Sequence, residues 1–251
     1  MSKVIFLSKG HVGTIILNNP KKLNALEFEM IKDLDKILDR AKNSKLKAIT
    51  IKGSGNSFCS GGDISWEKQL GVVSAAEAKK QITSVQKVFS KIEKIPQVVI
   101  AVIDGFAVGG GNELAMACDI RIALPAAKFR HPEVSIGTIA PLGATKRLPR
   151  LVGLGKAKYL LFTGSTIDSK TAFEWGLVDF VVPQKKLSSF LNSILEKIAA
   201  SSNQAIKLTK ESVNKNYLQD LNDKFEADSY IKCSRTEENK KSLDVFLKSK
   251  N

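Results

Sequence analysis

The segment Gln97 to Ile103 constrains this chain most. It ends in six consecutive apolar residues, Val98 to Ile103, five of them β-branched, and β-branched side chains favour strands. Ahead of it, Ile82, Val85, Phe89 and Ile92 recur at the spacing of a helix face, and behind it comes a glycine-rich loop. Related patterns precede it. Val4 to Leu7 and Val12 to Leu17 flank Lys9-Gly10-His11 and read as a β-hairpin. Phe28, Ile31, Leu34, Leu38 and Ala41 make Glu27 to Lys42 an amphipathic helix, and Leu46 to Ile51 is again strand-like. The order strand, strand, helix, strand, helix, strand predicts an α/β fold of stacked strand and helix units. From about Leu187 the pattern turns helical, over Leu187–Ala200, Gln204–Tyr217, Leu221–Ile231 and Thr236–Leu247. The chain therefore divides into an α/β body over 1–186 and a helical region over 187–251, whose apolar faces need burial on the body or on a neighbouring subunit.

With 251 residues, 43% hydrophobic and 25% charged, the composition is that of a folded globular chain and excludes disordered and collagen-like classes. The six-residue apolar run is far short of the roughly 20 needed to span a bilayer. Neither a membrane span nor a signal peptide is expected. Three cysteines, Cys59, Cys118 and Cys233, lack paired spacing, which points away from a disulfide framework and toward a cytoplasmic protein. Two histidines 120 positions apart, His11 and His131, offer little for a transition metal, so none is expected. The net charge of +14 favours anionic partners. Yet it is spread along the chain and is carried by 33 lysines against six arginines, whereas arginine suits bidentate phosphate and base recognition. It reads as a solvated surface rather than a nucleic-acid patch.

The chemistry points to two loops, Cys59-Ser60-Gly61-Gly62-Asp63 and Gly109-Gly110-Gly111-Asn112-Glu113. Both follow strand-like runs, where glycines let main-chain N–H groups approach a ligand and a following helix adds partial positive charge. Neither a P-loop nor a dinucleotide fingerprint occurs, so an oxyanion smaller than a phosphate chain fits the loops better; tight turns and close helix–sheet packing would also call for these glycines. Glu113 and Glu133 each interrupt apolar surroundings. Singly, a carboxylate near a helix start complements the helix dipole. Paired in one pocket, two carboxyls cannot readily both ionise, which supplies an acid and a base together.

The stretch Ile100-Ala101-Val102-Ile103-Asp104-Gly105-Phe106-Ala107-Val108-Gly109-Gly110-Gly111-Asn112-Glu113-Leu114-Ala115 resembles the signature segment of the enoyl-CoA hydratase/isomerase (crotonase) family. Further matches follow in the family's order. They are Asn18-Asn19-Pro20 with Leu23-Asn24-Ala25-Leu26, Phe58 to Asp63, Pro132-Glu133 with Gly137-Thr138, and Ala172 to Val178. The resemblance covers essentially the whole chain and implies a spiral of strand-strand-helix units with a helical C-terminal region. It implies an enoyl-CoA hydratase, which adds water across the 2,3 double bond of an enoyl-CoA thioester, with fatty acid metabolism as the setting. The alternatives are an isomerase or a hydratase for branched or cyclic acyl groups.

In the same terms, the main-chain N–H groups of Gly62 and Gly110 match the oxyanion hole, where fixed dipoles stabilise charge that develops only near the transition state. Glu113 and Glu133 match the pair that handles the water. Lys21, Ala25, Ser60, Asp63 and Ile64 match the positions that line the coenzyme A cradle, with Lys21 a point charge for phosphate and Asp63 better suited to capping a helix. No prosthetic group is implied, since coenzyme A is part of the substrate. Ser65 to Ala78, with Trp66 and Gly71, corresponds to a loop that shapes the acyl pocket. The tail resembles a trimerisation element and implies a homotrimer or a dimer of trimers. RNA binding, a role outside catalysis, would fall to Lys207-Lys210 and Lys240-Lys241.

Departures from the family pattern are also expected to matter. Gly137-Thr138-Ile139-Ala140-Pro141-Leu142 shifts a proline and puts Leu142 where a smaller residue is usual, which alters the pocket floor. His131 stands where relatives are frequently uncharged and reads as a hydrogen-bonded structural histidine. Cys59 has no evident basic partner in the sequence and is not expected to act as a thiolate nucleophile.

Overall fold

The computed structural model describes residues 2–216 together with Glu237. The chain opens with β1 (Val4–Lys9), β2 (Val12–Leu17) and α1 (Phe28–Lys42), then β3 (Ala48–Gly53), β4 (Ser57–Cys59), α2 (Ile64–Val72) and α3 (Ala75–Lys94). Next come β5 (Val98–Ile103), β6 (Phe106–Val108), α4 (Gly110–Met116), β7 (Ile120–Ala123) and β8 (Lys128–Arg130). They are followed by α5 (Ala144–Val152), α6 (Leu154–Thr163), β9 (Ile167–Asp168), α7 (Ser169–Glu174), β10 (Phe180–Val181), α8 (Gln184–Ala200) and α9 (Asn203–Asn216).

Two sheets are interleaved. The first runs β1-β2-β3-β5-β7-β10 and the second β4-β6-β8-β9. The β1–β2 hairpin and the β8–β9 pair are antiparallel and every other pairing is parallel. Successive strands alternate between the sheets, β3 then β4, β5 then β6, β7 then β8, with helices α2 and α3 after the first pair and α4 after the second. This is the expected spiral of strand-strand-helix units.

The continuous apolar character of β5 has a direct cause. Alternate side chains of a strand face opposite sides. Val99, Ala101 and Ile103 join the main core with α1, α3 and α4, whereas Ile100 and Val102 join a second cluster with Ile122, Leu124 and Val182. That outer face is covered by Leu187, Phe190, Leu191, Ile194, Leu195 and Ile198 of α8. A strand covered on both sides has no position at which a polar residue reaches water. The first C-terminal helix is thus laid on the body's own sheet. The expected helices at 221–231 and 236–247 lie outside the described residues, Glu237 apart.

One expectation fails at α2. Ser65 to Ala78, matched to a loop, is helical over most of its length, because Asp63 and Ser74 supply N-caps: Asp63 accepts from Ser65 N and Ser74 from Glu77 N. A second correction concerns the basic surface. Lys210 is not a surface charge. It is 8% exposed, donates to Ile92 O at 2.9 Å, Gln97 O at 2.9 Å and Asp119 Oδ2 at 2.7 Å, and pins α9 to the α3–β5 junction. Lys240-Lys241 lies outside the described residues.

Candidate active site

The segment 23–26 is laid beside 60–63. Ser60 N donates to Leu23 O, Leu26 N to Gly61 O and Asp63 N to Leu26 O, at 3.0, 2.7 and 2.9 Å. Leu23 and Asn24 enter this pairing with φ of 50° and 57°, a left-handed conformation that Asn tolerates better than Leu. Buried Asn24 holds the turn, accepting from Asn19 N and donating to Ser54 O and Ser57 O. This explains Leu23-Asn24-Ala25-Leu26 as a unit: it zips the first chain segment onto the glycine loop. Leu26 and Gly62 form a parallel bridge in which Leu26 bonds to Gly61 O and Asp63 N on either side of Gly62, so the N–H of Gly62 itself is left facing away from Leu26.

That other side is the second glycine loop. Gly62 N lies 3.7 Å from the position a Cβ would take on Gly110, and Gly110 N lies 3.6 Å from the corresponding position on Gly61. The two loops therefore approach each other through bare backbone. Gly109 turns into α4 with φ of 51°, and a Cβ on Gly111 would stand 2.2 Å from Cys59 O. Only glycine lets α4 start this close to β4.

The acids occupy the same region. Glu113 sits one turn into α4 and is fully buried; its Oε1 accepts from Leu142 N at 2.7 Å and Ala144 N at 2.8 Å, at the start of α5, while Oε2 has no partner. Burial pushes its carboxyl up to about 7; the two N–H groups and His131 oppose this, and the charge of Glu133 adds to it. Glu133 opens a short 3-10 turn, Glu133–Ile136, and neither of its buried oxygens has a hydrogen-bond partner. Its Oε1 lies 3.1 Å from the position a Cβ would take on Gly109. Buried carboxylate oxygens without partners are costly unless a polar ligand meets them. The fold thus brings Gly62, Gly110, Glu113 and Glu133 together.

The proposed cradle residues also cluster, with different surroundings. Lys21 is exposed on the 3-10 turn Pro20–Lys22, Ala25 is buried, Ser60 donates its hydroxyl to Lys22 O, and Ile64 is 62% exposed. Asp63 is committed elsewhere: it caps α2 and accepts from Lys22 Nζ at 2.7 Å. That ammonium first, then Ser65, holds its carboxyl down at about 2. Cys59 and Cys118 are buried free thiols pushed up to about 12 by desolvation, which leaves no thiolate at neutral pH. Among the described residues no cluster of three or more His, Cys, Asp or Glu could hold a metal. None of their helices is long and apolar enough to cross a membrane.

Two participants, Lys22 and Glu67, carry no clear mark in the sequence. Lys22 is an ion-pair partner of Asp63 and Glu27. Glu67 on α2 places Oε1 2.5 Å from the position a Cβ would take on Gly62, and its carboxyl is raised by burial and by the charges of Glu133 and Asp63. Its signal was weak, one acid four positions after a capping Asp. Leu142 brings Cδ1 to 3.2 Å from the Cβ position of Gly110, so the departure noted there does fall at the site. Trp66, matched to the acyl pocket, is buried against Phe28 at 5.9 Å between ring centroids.

The sequence profile of the family described as enoyl-CoA hydratase/isomerase matches residues 8–251. A short-chain-enoyl-CoA hydratase of Clostridium acetobutylicum is 37% identical over 100% of this chain and 96% of its own length. A crotonyl-CoA hydratase of Syntrophomonas wolfei is 37% identical over 98% and 95%. Among solved structures, an enoyl-CoA hydratase from Bacillus anthracis superposes with a TM-score of 0.92 at 32% identity, over 99% of this chain and 97% of that one.

Proposed function

This chain belongs to the enoyl-CoA hydratase/isomerase family and is an enoyl-CoA hydratase, and from that premise we propose how its site performs the reaction and on what. The substrate is a short-chain enoyl-CoA thioester of the crotonyl type, the class named for the two relatives at 37% identity. The thioester oxygen lies between the N–H groups of Gly62 and Gly110. As water oxygen bonds to C3, electrons shift onto that oxygen and an enolate forms. Main-chain dipoles already aimed there need no reorganisation, and one such donor is worth on the order of 10²–10³ in rate. Glu113 and Glu133 hold the water; one carboxylate takes its proton while the other carboxyl delivers a proton to C2, so the pair ends each turnover with the single proton it began with. The observation that carries this reading is the pair of buried acids with three unpartnered oxygens, Glu113 Oε2 and both oxygens of Glu133, beside the two glycine loops.

Lys21, Ala25, Ser60 and Ile64 line the path of coenzyme A, with Asp63 supporting them through its cap and its bond to Lys22. The helical region 187–251 serves oligomerisation as a homotrimer or a dimer of trimers. The body takes part in that assembly as well: Leu154, Tyr159 and Phe162 on α6 and Ile136 and Ile139 nearby are exposed, more apolar surface than scattered single residues need. Buried free thiols fit a cytoplasmic setting.

The test is hydration of crotonyl-CoA, followed by loss of the conjugated thioester's absorbance. Glu113→Gln and Glu133→Gln are each expected to lower kcat at least about 100-fold, with an unchanged circular dichroism spectrum. Near-normal turnover in either removes that residue from the role. Migration of the double bond in 3-butenoyl-CoA without any water addition would replace hydration by isomerisation.

A further inference from the structure

A buried polar chain adjoins the two acids and has no part in the hydration as described. Asn112 on α4 and His131 after β8 are each 1% exposed, and Asn112 Nδ2 lies 3.0 Å from His131 Nε2. The other ring nitrogen, Nδ1, lies 3.5 Å from Glu133 Oε1. We propose that His131 is a positioning residue for Glu133, and that Asn112 fixes the ring proton on Nδ1 so that an N–H faces the carboxylate.

The argument is one of donors and acceptors. An amide nitrogen only donates, so Nε2 must accept, which leaves the neutral ring's proton on Nδ1. With the Asn112 amide turned over, Nε2–H would donate to Oδ1 and the Nδ1 lone pair would face a carboxylate lone pair. Two acceptors opposed in a dry pocket repel strongly. At 3.5 Å the Nδ1–Glu133 approach is a dipole–charge contact longer than a formed hydrogen bond, of the kind that tightens when substrate fills a site.

Other charges around Glu133 do not supply what His131 supplies. Glu113 on α4 and Glu67 on α2 are both acidic and both coupled to it. Arg130, the neighbouring cation on β8, donates Nε to Gly164 O at 2.7 Å. The imidazole N–H thus steadies Oε1 against two like charges and leaves Oε2 for the water. The kinetic arm of the test rests on the hydratase reading; the spectroscopic arm does not.

The chain has only two histidines, so the protein labelled with 15N in its imidazoles gives two ring systems, assigned by His11→Gln. For His131 the neutral Nδ1–H tautomer is expected at pH 8, and Asn112→Leu is expected to turn it into a mixture. In kcat/KM profiles, His131→Phe is expected to move the acid limb about one unit to higher pH and lower kcat about tenfold with KM little changed. His131→Gln, which keeps an N–H donor, restores part of both. An Nε2–H tautomer in the folded protein overturns the proposal, as does a His131→Phe profile that superimposes on the parent. If His131→Phe does not fold, the tautomer and the Asn112→Leu spectrum decide. Absence of hydration in the parent would defeat the hydratase reading while leaving the tautomer measurement to judge the pair.

Discussion

At the scale of single residues, Glu113 links the site to stability. Its carboxyl titrates at about 7 in the folded protein because burial disfavours the charge, against about 4.5 in an unfolded chain. The folded state holds this proton more tightly, so the stabilisation is full below about pH 4.5 and is lost as pH rises toward 7. The difference is worth on the order of 3 kcal/mol. Glu113→Gln, which keeps an acceptor for Leu142 N and Ala144 N, should therefore gain in melting temperature over the parent between pH 5 and pH 8; a constant offset across that range would show that Glu113 does not titrate there. The sequence made Glu113 and Glu133 visible because an acid amid apolar neighbours is conspicuous. It also marked Asp63 as a helix cap, which the structure bears out at α2, but it did not disclose that Asp63 pairs with Lys22, 41 residues away, nor that Glu67 leans over Gly62, because such partnerships depend on how the folded segments come to rest.

At the scale of elements, periodicity served well where one face meets a core and failed where short caps decide. α1 and α3 appear in the sequence because their buried residues repeat at helical spacing. α2 has no residue set of that kind and owes its start to Asp63, so a stretch aligned with a loop proves helical. The glycine elements make a sharp prediction. Gly111→Ala would push a methyl to 2.2 Å from Cys59 O, separating α4 from β4. It should cost about 1–3 kcal/mol, as overpacking does, and lower hydration more than Ala at exposed Gly155, where nothing lies within 4 Å. The second element-level prediction concerns α9. Lys210→Met leaves partly buried Asp119 without its ammonium partner and frees Ile92 O and Gln97 O, and a loss of about 2 kcal/mol is expected in chemical denaturation. A surface-like effect below 0.5 kcal/mol would mean that α9 is not docked through this residue.

At the scale of the whole molecule, two interleaved sheets wound as a spiral bring residues 62, 110, 113 and 133 to one place from three successive turns. If the exposed apolar side chains of α6 and its surroundings are the subunit contacts, light scattering coupled to size exclusion should give three or six times the 27.4 kDa chain mass; a monomer would refute the assembly. With Lys210 withdrawn from the surface, nucleic-acid binding should be absent at about 0.15 M salt, since it would depend on screened phosphate contacts alone. Side-chain type alone was enough for the α/β class, the main strands and helices as far as β5, the helices after residue 187 up to α9, the glycine loops and the two acids, because burial patterns and backbone tolerance are local properties. Only the tertiary structure decided that α8 covers the outer face of β5, that Glu113 caps α5 while keeping one oxygen free, and that His131 faces Glu133. Those outcomes depend on distances between segments remote in the chain, which no local pattern encodes.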